Sequence, residues 1–400
     1  MTFLEIGYLH HKIFVCTRFV YFCRMPPQKK TVIVCPLDWG LGHATRMVPI
    51  IELFLAANAH VVIASDKRPL AFLKQRLPGC DFERLPGYTP KYPKQGFLMP
   101  FTLMMSFPRM MKKARESREL LMKMAKKNQA DLIISDNRYE LSIPGITSIF
   151  ITHQLHIQSF GWQKIFSPFI NLMIRKYLNR YQEVWIPDFE GEKNLSGILA
   201  HPTLPCKPKQ TYIGLLTRFA SIEKVLEKVC YDIVIILSGP EPQRSLLEAN
   251  LIQQALELKK STLILQGKPE ENQDVQLENL RVISHKNDTQ MAAYILSAQL
   301  VVCRPGYSTL MDLAHLQTKA AFIPTPGQTE QIYLAKKLLL EKSAYSDTQK
   351  NFSLQKAYES RHEFTGLPYF GPNTALKNSI DQLLSSNSDK NKQPGQEHKS

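Results

Sequence analysis

Ten short apolar runs, at 31–35, 60–64, 131–135, 148–152, 183–186, 232–237, 262–265, 280–283, 299–303 and 320–324, alternate with stretches of helical periodicity. Strands that are apolar at successive positions must be covered on both faces, and parallel sheets flanked by helices meet that demand. Between the first two runs, for example, Met47, Ile50, Ile51, Phe54 and Leu55 share one face of a helix predicted over 44–57. The expected class is α/β. At 400 residues the chain exceeds the size at which one core keeps growing, so two domains are expected. Their predicted bounds are 25–200 and 211–385, the second with terminal helices. A linker is predicted at 201–210, where Pro202, Pro205 and Pro208 cluster around Cys206.

The ends read differently from the middle. His10, His11, Lys12 and Arg18 interrupt the apolar residues of 1–24, which leaves neither a signal peptide nor the run of about 20 residues that a membrane span needs. We expect 1–24 to be an extension outside the fold, with Met25 a more natural start. Residues 386–400 lack apolar side chains and are expected to be disordered. Seven scattered cysteines without CxxC pairs argue for reduced thiols in the cytoplasm and against a zinc site. The net charge of +15 favours anionic partners, whether phosphates, nucleic acid or an acidic membrane surface. No nucleic-acid motif accompanies it.

The densest chemistry lies at 300–337, where two strand-to-helix turns follow one another. The first turns through Arg304, Pro305 and Gly306 and opens a helix at Ser308 or Thr309 that carries Asp312; the second runs from Thr325 to Gln328 and opens near Thr329, Glu330 and Gln331. In an open parallel sheet both lie at the carboxyl edge, where ligands bind and free helix N–H groups favour anions. Each predicted domain also begins with a strand, a turn and a helix. In the first, PLDWGLGH supplies Gly40 and Gly42 before His43, but Thr45 stands where a dinucleotide fingerprint needs its third glycine. In the second, Ser238, Gly239 and the residues through Arg244 lack the Gly-Lys-Ser/Thr ending of a P-loop.

These residues carry a family resemblance. Across about 31–342 the chain resembles the GT-B glycosyltransferases, and within them the N-acetylglucosaminyltransferases that make the lipid-linked peptidoglycan precursor. CRPGYSTLMDLA looks like that family's Cys-Arg-Ser-Gly-Ala turn and following acidic helix, and FIPTPGQTEQIYLAKKL like its proline-bearing loop and paired glutamines. Gly42-His43 and His153-Gln154 match its amino-terminal segments. Asp38 and Trp39 stand in place of a glycine pair, Pro305 in place of a serine, Asp312 in place of a glutamate, and Gln154 where another glutamate would be. The resemblance implies two Rossmann-like domains with parallel sheets facing across a cleft. It implies a nucleoside-diphosphate sugar as substrate, with a UDP-sugar favoured and no cofactor. A saccharide or lipid-linked acceptor, a cytoplasmic setting and an anionic membrane surface as candidate partner follow from it.

Roles can be assigned beside it. Asp312 shares the first turn of its helix with Ser308 and Thr309 and would accept hydrogen bonds from ribose hydroxyls; Thr309 to Asp312 equally reads as a capping box. Arg244 and Arg304, beside helix-opening turns, are candidates for a diphosphate without a metal, or are surface arginines. Glu330 and Gln331 would meet sugar hydroxyls, or simply suit a helix's first turn. His285 would border the base, or is a loop histidine without a ligand. Transfer with inversion needs a base near neutral pH to activate a hydroxyl, which points to His43, with Asp136 at a strand end to orient it; the other reading has His43 capping its helix and Asp136 forming a turn. Gly40, Gly42, His153 and Gln154 would face the acceptor. Segment 96–128 combines a methionine-rich apolar stretch with Arg115, Arg118, Lys123, Lys126 and Lys127, which suits an interfacial membrane surface or a core helix with a solvated face. The function expected is glycosyl transfer; the alternatives are a nucleotide-sugar epimerase on the same fold and a non-catalytic nucleotide-binding relative at a membrane.

Overall fold

The computed structural model describes residues 29–89, 99–157, 167–201, 207–222, 230–371 and 373–386. The expectations for 1–24 and 387–400, for 96–98, and for Pro202, Pro205 and Cys206 concern residues outside that set.

The first sheet has seven strands: β1 (Thr31–Cys35), β2 (His60–Ser65), β3 (Asp81–Arg84), β4 (Leu132–Asp136), β5 (Thr147–Ile151), β6 (Glu183–Ile186) and β7 (Lys209–Tyr212). Their order is β3-β2-β1-β4-β5-β6-β7, with every pair parallel. Helices α1 (Leu41–Ala56), α2 (Lys67–Arg76), α3 (Met99–Lys127) and α4 (Ser167–Leu178) connect them. Along β1 the side chains alternate: Val32 and Val34 join the core with Met47, Ile51 and Phe54 of α1, whereas Ile33 and Cys35 join Leu121, Met124 and Ala125 of α3. That two-sided burial is the physical content of the continuous apolar run.

The second sheet repeats the plan. It comprises β8 (Tyr231–Ile236), β9 (Thr262–Leu265), β10 (Asp274–Leu277), β11 (Leu280–Ile283), β12 (Ala298–Cys303), β13 (Ala320–Phe322) and β14 (Tyr345–Ser346). The order is β10-β11-β9-β8-β12-β13-β14, parallel except where β10 pairs with β11. Helices α5 (Gln243–Leu258), α6 (Asp288–Ser297), α7 (Tyr307–Leu316), α8 (Thr329–Leu340), α9 (Leu354–Glu359) and α10 (Ala375–Ser386) belong to this half of the chain.

All ten predicted strands are present, within two residues at either end. Four others, β3, β7, β10 and β14, were not legible as apolar runs, and they are the four sheet edges. An edge strand is covered less, so sequences such as DFER, KQTY and DVQL suffice.

The domain bounds also shift. Lys209 and Gln210, expected in the linker, and Thr211 and Tyr212, expected in the second domain, form β7 and pair with β6 of the first sheet. Ser386, expected in the tail, closes α10. That helix does not stay with the second domain: Leu376, Ile380 and Leu383 pack into the core that holds α1, and Lys30 Nζ donates to the Leu384 carbonyl at 3.0 Å. The same core continues into Tyr307, Leu310 and Met311 of α7, so the two domains meet on an apolar seam between α1 and α7.

Candidate active site

In each sheet the chain leaves the first strand and returns on either side of it. The strand order therefore reverses between β1 and β4 and between β8 and β12, and such reversals open a crevice at the carboxyl ends of the strands. The candidate residues gather at these two crevices.

At the first, α1 opens after Gly40 with no side-chain cap, which places His43 in its initial turn beside the end of β4. His43 Nδ1 lies 2.9 Å from Asp136 Oδ2. The aspartate side chain is fully buried and the histidine side chain keeps 21% of its surface exposed. Burial lowers the His43 pKa, as does the nearby Arg46 guanidinium, and together they outweigh the attraction of Asp136. Burial would raise Asp136, but Arg46 and His43 hold it below the usual carboxylate range. Burial and Arg46 thus favour the neutral imidazole. Its Nδ1–H is committed to the carboxylate and Nε2 is left to accept a proton, the arrangement a general base requires.

Arg46 was not anticipated, although it lies one helical turn beyond His43. Its side chain, 1% exposed, donates through Nη2 to Asp136 Oδ1. Its Nη1 lies 3.1 Å from His153 Nδ1. His153 and Gln154, expected at the acceptor, are instead engaged across the domain boundary: His153 Nε2 is 2.8 Å from Glu330 Oε1, and Gln154 donates to the other oxygen of Glu330. The His153 ring stacks on Tyr307 at 4.1 Å between centroids, and the Tyr307 hydroxyl donates to the Pro187 carbonyl at 2.9 Å. Burial would raise Glu330, but His153 holds it down. Glycine at 42 has a spatial reason: a Cβ there would sit 3.3 Å from Ser308 Oγ, which donates to the Gly42 carbonyl at 2.9 Å.

At the second crevice the expectations divide. Gly239, with φ +106°, and Ser238 form an exposed turn after β8, and a Cβ on Gly239 would lie 3.6 Å from Thr325 Oγ1. That hydroxyl is buried and has no partner among the described residues. Gln331 accepts from the Thr325 amide at 2.8 Å and so holds the loop before α8. The cap of α7 is Gly306, without a side-chain hydrogen bond, so Thr309 and Asp312 do not form a capping box.

Three of the candidate residues are engaged within the fold. Arg304 is 1% exposed and is a structural clamp: it donates to the carbonyls of Ile323, Pro324 and Gln243 and to Gln349 Oε1 at 2.6 Å. Burial pulls its pKa down to about 10. Its Nη groups are taken up by the carbonyls beyond β13, by the Gln243 carbonyl and by Gln349, while Nε is buried without a partner among the described residues. Arg244 is held between Glu241 and Glu248, the latter at 3.0 Å, which offsets the charge an anion would need. Asp312 is buried with both oxygens engaged: Oδ1 accepts from Thr217 Oγ1 at 2.7 Å and Oδ2 lies 3.3 Å from Arg218 Nε. Burial raises its pKa to about 6 despite Arg218. Arg218 also pairs with Asp288 at 3.1 Å, and Asp288 with Arg76 at 3.4 Å. His285 borders this group and is half-buried; burial and then Arg218 lower its pKa.

Two mostly parallel seven-stranded sheets with interspersed helices, joined by an apolar seam, have the GT-B fold of glycosyltransferases. Residues 233–360 match the model of the glycosyltransferase family 28 C-terminal domain. The fold is similar to that of the solved glycotransferase of kitacinnamycin, 13% identical over 90% of this chain and 100% of that one, with a TM-score of 0.60. UGT89C1 of Arabidopsis thaliana gives the same identity, coverage and TM-score. MurG of Acinetobacter baumannii is 14% identical over 89% of this chain and 99% of that one, with a TM-score of 0.51. No curated protein matches the chain.

Proposed function

We propose that the protein moves a sugar from a nucleoside-diphosphate sugar to a hydroxyl acceptor, with inversion and without a metal. The observation that carries this reading is the His43–Asp136 pair at the first crevice: a neutral, partly open imidazole oriented by a buried carboxylate. In the reaction His43 Nε2 takes the proton of the acceptor hydroxyl as its oxygen attacks the anomeric carbon, and the glycosidic bond to the nucleoside diphosphate breaks on the opposite face. The imidazolium is stabilised by Asp136.

The donor would lie at the second crevice. The uncapped first turns of α7 and α8 offer N–H groups to the diphosphate, and Ser238, Gly239 and Thr325 lie beside them. Glu330 and Gln331 would exchange their present partners for sugar hydroxyls, and His285 would border the base. For Asp312 to meet the ribose, the Thr217 hydroxyl would have to give way.

We also propose that the acceptor is presented at an anionic membrane surface. Met105, Phe107 and Met111 of α3 and Leu172 of α4 are exposed, with Arg109, Lys112 and Lys176 exposed on the same two helices. An apolar patch rimmed by cations suits interfacial binding. No helix among the described residues is long and apolar enough to cross a membrane.

Thermal-shift titration with a panel of nucleoside diphosphates, followed by release of nucleoside diphosphate from the matching sugar with and without acceptor, tests the activity. Release that does not depend on acceptor, or a sugar converted without transfer, would replace this reading with hydrolysis or epimerisation.

A further inference from the structure

One side chain joins the two crevices. Arg46 donates to Asp136 on one side and faces His153 Nδ1 at 3.1 Å on the other, and His153 Nε2 meets Glu330 Oε1 at 2.8 Å. A guanidinium has only donors to offer, so His153 Nδ1 is the acceptor and Nε2 carries the proton that it gives to Glu330. Asp136 accepts from both Arg46 and His43, which places the His43 proton on Nδ1 and the lone pair on Nε2. Arg46 therefore sets the tautomer of His153 directly, and it holds the carboxylate that sets the tautomer of His43. Glu330 belongs to α8 and the other members to the first domain, so the chain is complete only while the domains stay together.

We propose that Arg46 is a positioning residue for transfer: it holds Asp136 on His43 and, through His153, ties that pair to Glu330, so that the base is set when the cleft is closed. This rests on the reading of His43 as the base. The charged and titratable groups around His43 are Arg46 of α1, Asp136 at the end of β4, His153 beyond β5 and Glu330 of α8. Of these only Arg46 is a fixed cation. It keeps Asp136 ionised while opposing the imidazolium, so the carboxylate orients His43 without leaving it protonated.

The histidine resonances of the whole protein, followed by NMR against pH, read this without turnover. With Arg46→Gln, Asp136 loses its cation and acts on His43 alone; the His43 midpoint should rise by about 1 to 3 pH units, and the acid limb of the kcat/KM profile should move with it. Arg46→Lys keeps the charge without the fork. It should leave the His43 midpoint near its original position yet remove the link to Glu330. In the parent protein the kcat losses of Glu330→Gln and Arg46→Lys should be non-additive, the double variant being at least about threefold less impaired than the product of the singles, the size expected for residues in one network. An unchanged His43 midpoint in folded Arg46→Gln overturns the proposal. Where that variant does not fold, additive losses in the Arg46→Lys cycle overturn it instead. Full transfer by His43→Ala would remove the base assignment, whereas the NMR midpoint still reports on Arg46.

Discussion

Replacing Asp312 with asparagine should stabilise the protein above pH 6 and flatten part of its stability profile. The carboxyl group is buried, and its pKa rises from 3.8 to about 6. Because the folded value exceeds the unfolded one, the native state holds more protons across that window. Stability contributed by this group is therefore greatest below about pH 4, falls as pH rises towards 6, and stays at the lower level above it. Two units of displacement correspond to about 3 kcal/mol. Asparagine carries no charge to bury and keeps an oxygen for the Thr217 hydroxyl. Arg218 retains Asp288 at 3.1 Å, so the substitution leaves no orphaned cation, and the full effect should approach that figure at pH 7.5 and shrink to below 1 kcal/mol at pH 4. Asp136 and Glu330, whose carboxyls are depressed, lose stabilisation as pH falls and give the opposite slope. Only the difference between parent and variant isolates Asp312. Urea unfolding at pH 4, 5, 6 and 7.5, read as that difference, is the assay. A difference independent of pH would refute the burial argument, and destabilisation at pH 7.5 would mean that the Arg218 pair outweighs desolvation.

His43→Ala should lower kcat by about 100- to 10,000-fold, the range for a lost general base, and Asp136→Asn should lower it with little change in KM for the donor; steady-state kinetics on the sugar identified by the panel measures both. Arg304→Met leaves the carbonyls of Ile323 and Gln243 without this donor, so it should cost about 2 to 4 kcal/mol in unfolding experiments while the folded fraction keeps its KM for nucleotide sugar. Met105→Glu with Phe107→Glu should abolish salt-sensitive sedimentation with anionic vesicles and leave transfer to a soluble acceptor intact; equal vesicle binding by parent and variant would dismiss the patch.

Local pattern carried a good deal of this. A strand buried on both faces needs apolar residues at every position, so the apolar runs carry the bounds of β1, β6, β9 and β11 to the residue; a turn between such a strand and a helix lies at the carboxyl edge of a parallel sheet, which is why His43, Asp136 and Glu330 stand out as candidates in the sequence. Edge strands escape that logic. DVQL of β10 is exposed throughout, and nothing in its composition separates it from a loop; its partnership with β11 is made by the antiparallel main-chain ladder and by Arg281, which donates to both oxygens of Asp274 at 2.8 Å.

What the sequence by itself determined is therefore the α/β class, the interior strands and the turns that hold the candidate residues, because each follows from periodicity over a few neighbours. Only the tertiary structure decided what those residues touch. Arg304 and Arg46 are both arginines at the opening of a helix, and both are 1% exposed. One meets strand-end carbonyls and becomes a clamp; the other meets Asp136 and His153 and becomes part of the site. Residues 93 apart in the chain, as His43 and Asp136 are, or 177 apart, as His153 and Glu330 are, share no local pattern. The carboxyl ends of neighbouring strands and the closing of α7 on α1 bring them together, and those contacts exist only in the folded chain.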